Sequence, residues 1–251
     1  MNTAAIIQAR MGSTRLPGKM LMNIAGKPAI EHVIERIRQA KRVEQIVLAT
    51  TTAPADDALC RWAKEREVLV YRGSEQDVLD RYYQCAKEYG ARVVVRLTGD
   101  CPLLDPEIID AVIGVFEDGN CDYASNIHPP SYPDGLDVEV FSFQALEKAW
   151  TEAKFPSERE HVTPYMWKHP ELFRMKNYEL RIKGEAVDMS TERWTLDTPE
   201  DLEFMERVIP CCRDFSFGTV MEVLKKHPEW RAINARFRRN EGYEKSLQSE
   251  K

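Results

Sequence analysis

Apolar and polar positions follow two rhythms through the first half of this chain. Short apolar runs at Ala4–Ile7, Gln45–Thr50 (QIVLAT), Val68–Tyr71 and Arg92–Leu97 (RVVVRL) predict strands. Between them lie stretches with helical spacing: Ile30, Val33, Ile34 and Ile37, then Ala55–Glu65, then Val78, Leu79, Tyr82, Tyr83 and Ala86. Pro28 suits a first helical position. Ser74 with Asp77 reads as a capping box, and Gly90 as a C-terminal cap. Asp105-Pro106 opens a helix through Phe116. The RVVVRL run is nearly continuous in apolar residues, as in the buried centre of a parallel sheet. This alternation predicts an α/β fold, a mostly parallel sheet with helices on both faces. Ligands of such sheets bind beyond the carboxyl ends of the strands. The Arg10–Lys19 loop and the Thr98–Asp100 turn both fall there.

The second half is more mixed. Asp137–Phe143 predicts a strand entering a helix around Gln144–Ala153. Ser157–Lys168 reads as a helix with Ser157 and Glu160 as its capping box, weakened inside by Pro164. Leu172–Leu180 reads as a strand. A short apolar strand ends at Asp197, and Thr198-Pro199-Glu200-Asp201 starts a helix that continues through Val208. Ser216–Lys226 predicts another. From Asn240 the sequence is polar and is expected to fray. The expectation is one domain over 1–240 and a polar tail over 241–251.

Composition narrows the class. The 251 residues are 43% hydrophobic and 30% charged, with a formal net charge of -6. That is an ordinary globular balance. The lack of a long basic run argues against a nucleic-acid partner. No apolar run is long enough to span a membrane, and Met1 opens no signal-peptide pattern. The six cysteines include no C-x-x-C and no paired His spacing, which argues against zinc. A cytoplasmic enzyme with reduced thiols is expected, and a homodimer is compatible with that class.

The candidate chemistry starts in Ile6–Leu21, IIQARMGSTRLPGKML. Arg10, Arg15 and Lys19 sit in a loop whose small residues Gly12, Ser13 and Gly18 let backbone approach a ligand. Cations and inward N–H groups suit a polyphosphate. The loop is not a Walker A motif. Gly12 and Gly18 are one residue too far apart, and Met20 replaces the Ser/Thr that would help hold Mg²⁺. Metal ligands would have to come from elsewhere. Asp100, just past the most buried strand, and Asp197, just before a helix, are two carboxylates at strand ends. Mg²⁺ on a nucleotide asks for one or two such groups. Taken singly, Asp100 could equally cap a turn and Asp197 a helix.

Ala9, Arg10, Ser13, Arg15, Leu16, Pro17, Gly18 and Lys19, followed by Gly26, Lys27 and Pro28, closely resemble the N-terminal signature of sugar cytidylyltransferases. These are the CMP-Kdo and CMP-acylneuraminate synthetases. Gln8 in place of the usual Pro is more similar to the spore coat polysaccharide biosynthesis protein F branch. The G-D-C-P around Asp100 and the D-T-P-E-D-L from Asp197 resemble two further family elements. The resemblance implies a nucleotide-diphospho-sugar transferase-like fold and transfer of CMP from CTP to an acidic sugar. It implies Asp100 and Asp197 as Mg²⁺ ligands, with Arg10, Lys19 and Asp100 catalytic. Ala9, Arg10, Gly12, Ser13, Arg15 and Lys19 would hold the nucleotide, and Arg72 and Ser74 the base. Asp134, Asp137 and Glu139 would meet the sugar, while Arg159 and His161 could contact an acidic substrate or simply face solvent. A glycosyltransferase of the related fold would keep the carboxylates without needing the cation cluster. A non-catalytic nucleotide-binding partner is a third reading, against which Asp100, Asp197 and Lys19, intact together, argue.

Overall fold

The apolar runs of the first half become neighbouring strands in a computed structural model that describes residues 2–214 and 216–250. Met1, Phe215 and Lys251, the last residue of the expected tail, lie outside them. Strand β1 (Thr3–Gln8) leads through a small hairpin, β2 (Asn23–Ile24) and β3 (Lys27–Pro28), into α1 (Ala29–Ile37). Then follow β4 (Gln45–Thr51), α2 (Asp57–Glu65), β5 (Leu69–Gly73), α3 (Val78–Glu88), β6 (Val93–Thr98) and α4 (Pro106–Asp118). The chain continues with β7 (Tyr123–Ser125), β8 (Glu139–Ser142), α5 (Phe143–Glu152), α6 (Pro156–His161), α7 (Pro164–Lys168) and β9 (Met175–Asn177). A second hairpin, β10 (Arg181–Ile182) and β11 (Glu185–Ala186), precedes α8 (Pro199–Val208), α9 (Phe217–Lys226) and α10 (Glu241–Ser249).

The main sheet has seven strands in the order β5-β4-β1-β6-β8-β7-β9. Strands β5, β4, β1 and β6 are parallel, as expected, and β8 runs antiparallel between β6 and β7. Side-chain alternation along β1 builds two cores. Ala5 and Ile7 pack with Ile30 and Val33 of α1 and Ile109 and Val112 of α4. Ala4 and Ile6 face the other way, with Leu79 and Tyr82 of α3 and Leu146 of α5. Each fully buried Val, Leu or Ile side chain contributes about 1.5–3 kcal/mol. Gln8 and Thr98 are register partners at the carboxyl ends of β1 and β6, so the loops that follow them open side by side.

Local chemistry moves several boundaries. Helix α3 is capped by Asp77, whose carboxylate accepts from Asp80 N–H, and not by Ser74, which accepts from Asp77 N–H. Pro28 stands outside α1 as its cap. The helix expected over Ser157–Lys168 is split in two. Pro164 has no N–H to continue α6, and Val162 before it takes φ 73. Its cap box uses Glu158, whose carboxylate accepts from Phe155 N–H, in place of Ser157 and Glu160. The strand expected over Leu172–Leu180 shrinks to β9. The segment before Asp197 is no ladder strand. Trp194 N–H bonds to Asp134 O at 2.6 Å and Leu196 N–H to Asp100 O at 2.7 Å, so it ties two loops together. The polar tail from Asn240 forms α10 instead of fraying.

Candidate active site

Gly18, at φ 74, turns the first loop into a short 3-10 turn that begins at Lys19 and buries it. The loop is pinned at both ends. Gly18 N–H bonds to Met11 O at 3.1 Å, and Met11 N–H donates to the buried Asp56 carboxylate at 2.7 Å. Ser13 Oγ accepts from Leu16 N–H inside the loop. Gly99 is needed beside it, because a Cβ there would lie 2.9 Å from Ala9 Cβ and from Met20 Sδ.

Lys19 is the centre of the arrangement. Its Nζ donates to Asp100 Oδ2 at 2.8 Å, to Asp197 Oδ1 at 3.0 Å and to Leu196 O at 3.0 Å. Arg15 bonds to the other oxygen of Asp197. The two carboxylates, far apart in sequence, thus converge on one ammonium. Burial works against the charge on Asp100. The Lys19 ammonium, with hydrogen bonds from Lys19 and Thr98, outweighs it and holds the carboxyl below its ordinary range. Behind Asp197, the fully buried Asp201 carboxylate accepts from the N–H groups of Asp197 and Thr198, both at 2.9 Å, which sets the turn into α8.

Two clefts meet at this centre. One, of about 680 Å³, is lined by Ala9, Arg10, Ser13, Arg15, Lys19 and Asp100, with Asp197 and His161 at its edge. The other, of about 460 Å³, takes in Asp134, Asp137 and Glu139 and shares Arg15, Asp100, His161 and Asp197. Gly12, Arg72, Ser74 and Arg159 line neither. Arg72 is turned toward Asp57, at 2.7 Å, and the carbonyls of Thr51 and Ala53. Ser74 is used by the turn before α3. Arg159 pairs with Asp77 at 2.7 Å and donates to Trp150 O and Ala153 O at the end of α5.

The second cleft is a set of paired charges. Glu139 accepts from Arg96 and, at 2.7 Å, from Tyr123 OH. Arg239 donates to Asp137 and to Tyr132 O. Arg193 makes two 2.8 Å bonds to Asp201 and reaches Asp134 at 3.2 Å. Gly135, at φ 111, lets this strap cross under Trp194, whose carbonyl oxygen would sit 2.4 Å from a Cβ. Burial, then the neighbouring Asp137 charge, pushes the Asp134 carboxyl up to about 7. Burial also raises Asp137, while for Glu139 the Arg96 charge overcomes burial and lowers it.

With the geometry in hand, comparison with known proteins is decisive. The sequence pattern of the cytidylyltransferase family matches residues 4–227. The chain belongs to the cytidylyltransferase family. It is 37% identical over 241 residues to an uncharacterized protein of Methanocaldococcus jannaschii, spanning 95% of this chain and 96% of that one. It is 33% identical over 237 residues to the spore coat polysaccharide biosynthesis protein SpsF of Bacillus subtilis, spanning 89% and 94%. The solved structure of a cytidylyltransferase from Leptospira borgpetersenii superposes with a TM-score of 0.85 at 35% identity, covering 92% of this chain and 96% of that one. The chain is thus a nucleotidyltransferase of this fold. Among its described residues no helix is long and apolar enough to cross a membrane.

The two clefts also include residues that reasoning from sequence missed. Arg81 lines the larger cleft, is buried, and has no carboxylate partner among the described residues; its Nε has no hydrogen bond. Burial lowers its pKa. It lies inside the apolar stripe of α3, and a cation there is the signal that could have exposed it. Arg96 gives the same signal inside RVVVRL. Arg193, Arg239 and Tyr243 gave none, because only the fold brings them to the second cleft.

Proposed function

We propose that this cytidylyltransferase-family enzyme transfers CMP from CTP to an acidic sugar, releasing pyrophosphate, as a step toward a cell-surface polysaccharide. The observation that carries the reading is Lys19 Nζ held between Asp100 and Asp197 at the floor where both clefts meet. One cleft then takes the nucleotide and the other the acceptor, with the α-phosphate at their junction. Arg10, Arg15 and Lys19 would bind the β- and γ-phosphates. Arg81 would supply the buried positive group on the nucleotide side.

The residues fit Mg²⁺. Two carboxylate oxygens lie within 3.0 Å of one cationic nitrogen. Among the described residues no cluster of three or more acids, histidines or cysteines could hold a metal by itself. Mg²⁺ suits that shortfall, since it keeps waters and phosphate oxygens as its other ligands. Bound there, it would neutralise phosphate charge and make the acceptor hydroxyl more acidic. Asp100 and Asp197 would hold it, while Lys19 and Arg15 turn to phosphate oxygens. The chain's own contribution is alignment of the acceptor hydroxyl with the α-phosphorus and stabilisation of the leaving pyrophosphate.

An acidic acceptor is supported by Arg193 and Arg239 in the second cleft, where Asp134 gives up its proton only near neutral pH. The test is pyrophosphate release on mixing the enzyme with CTP, Mg²⁺ and a panel of sugars, acidic and neutral. Release with an acidic sugar above the sugar-free control is expected. Release confined to neutral sugars, or none with any, would overturn the reading.

A further inference from the structure

Helix α10 is built unlike the other long helices, for none of its residues is buried. Polar and aromatic joints hold it. Glu241 lies 3.6 Å from the Arg15 guanidinium. Ser246 Oγ meets Glu160 at 2.8 Å and His161 at 3.0 Å. Glu250, just past its end, accepts from Ser157 N–H, and Tyr243 packs edge-on against Trp167 and His161. Arg15 and His161 each line both clefts, and the segment Arg238–Tyr243 walls the acceptor cleft. This wall lies beyond the residues that the family pattern matches.

We propose that Glu241 is a positioning residue that makes the acceptor cleft respond to the nucleotide, through a choice of partner at Arg15. The inference rests on the reading of Arg15 as a phosphate ligand. A triphosphate competes with Asp197 and Glu241 for the Arg15 guanidinium, whose donors point in fixed directions. The Arg15 side chain is 38% exposed, and its contact with Glu241, at 3.6 Å, is the longer of its two ion pairs. The triphosphate offers more charge than either carboxylate. When Arg15 turns to it, Glu241 loses that ion pair and keeps the Arg238 N–H, which donates to its carboxylate at 2.9 Å. Helix α10, with no buried residue, then has one joint fewer, and its first turn moves with the nucleotide. The acceptor wall is loosened once CTP is in place.

The coupling is reciprocal, so removing the Glu241 charge frees Arg15 for phosphate. Calorimetric titration of CTP with Mg²⁺ into the full-length wild type, Glu241→Gln and Lys19→Ala reads this directly. Glu241→Gln should bind CTP about two- to fivefold more tightly at unchanged melting temperature, the range for one exposed ion pair. A merely structural Glu241 would give equal or weaker binding. Amide hydrogen exchange across 241–249 should quicken on CTP saturation in the wild type, and already be quick in Glu241→Gln. If Lys19→Ala weakens CTP while Glu241→Gln leaves affinity and exchange unmoved, the coupling falls and the phosphate reading stands. If neither variant changes CTP binding, both fall. Should CTP fail to bind, ATP, GTP and UTP take its place, and binding by none of them overturns both.

Discussion

The two clefts share a floor but are made in opposite ways. The nucleotide side is built around a continuous segment, Gln8–Met20, lying across the ends of β1 and β6, with Arg81, Asp100 and Asp197 brought to it. The acceptor side is stitched from residues distant in sequence. Arg96 meets Glu139 across 43 positions, Arg193 meets Asp134 across 59, and Arg239 meets Asp137 across 102. On the nucleotide side the cations Lys19 and Arg15 answer the same carboxylates that would hold a metal. Metal and triphosphate can therefore enter together, each taking over the partner the other displaces. On the acceptor side the charges are already matched, so that region depends on its pairs to hold its shape. Breaking the first region should cost turnover, and breaking the second should cost the fold.

The largest effect expected is on turnover. Asp100→Asn and Asp197→Asn should each lower it by roughly 10²- to 10³-fold or more, from the several kcal/mol of charge stabilisation a metal supplies. Melting should stay near the wild type, since the loop keeps its backbone ties. Activity titrated against Mg²⁺, with a melting curve beside it, measures this; near-normal turnover in either variant removes that residue from the metal site. Asp201→Ala attacks the other region. It strips Arg193 of its buried partner, removes one half of the α8 capping box and takes from Asn234 the carboxylate to which it donates at 2.9 Å. A loss of about 3–5 kcal/mol in denaturant stability is expected from the uncompensated charge. A loss below about 1 kcal/mol, within the reach of an exposed ion pair, would show that Arg193 finds other partners.

That asymmetry also explains what could be read from the sequence. The parallel half was legible because each strand and helix carries its own periodicity, and because the loop from Arg10 to Lys19 is local. Asp100 and Asp197 could be named as carboxylates at element ends, though their meeting at Lys19 depends on Leu196 bonding back to Asp100. Arg72 and Ser74 match the place where relatives read the base, but Arg72 is taken up by Asp57 and the carbonyls before α2, and Ser74 by the turn before α3. The acceptor side was illegible where charge pairs replace periodicity. Arg239 and Tyr243 sit in a polar stretch with no apolar rhythm, and only contact with Tyr132, Asp137 and Trp167 gives them a place.

A smaller effect sharpens the contrast within the nucleotide side. Lys19→Ala should weaken CTP by roughly ten- to hundredfold, the value of one charge-assisted phosphate contact of about 1.5–3 kcal/mol. CMP, without β- and γ-phosphates, should bind almost unchanged. Titration of both ligands into both proteins decides it. Equal losses would mean that Lys19 serves the α-phosphate or the base, and the nucleotide would have to lie the other way round in the cleft.

The smallest effect belongs to the acceptor side and is read in pH. Folding raises the Asp134 carboxyl to about 7, through burial first and the Asp137 charge second. The folded chain therefore keeps this proton at pH values where the unfolded chain has lost it. Stability from this group is complete below the unfolded carboxylate range and is lost as pH rises through about 7. Asp134→Asn binds no proton and should lack that slope, while its side-chain oxygen can still accept from Arg193. Burial lowers His32, His128 and His161, which tilts stability the opposite way. Those histidines are common to both proteins and cancel in the difference. Melting temperatures taken from about pH 5 to pH 8 should show the variant gaining on the wild type as pH rises. Parallel curves would mean that Arg193 and Arg239 keep Asp134 ionised throughout, and the acceptor cleft would then hold one more negative charge against an acidic sugar.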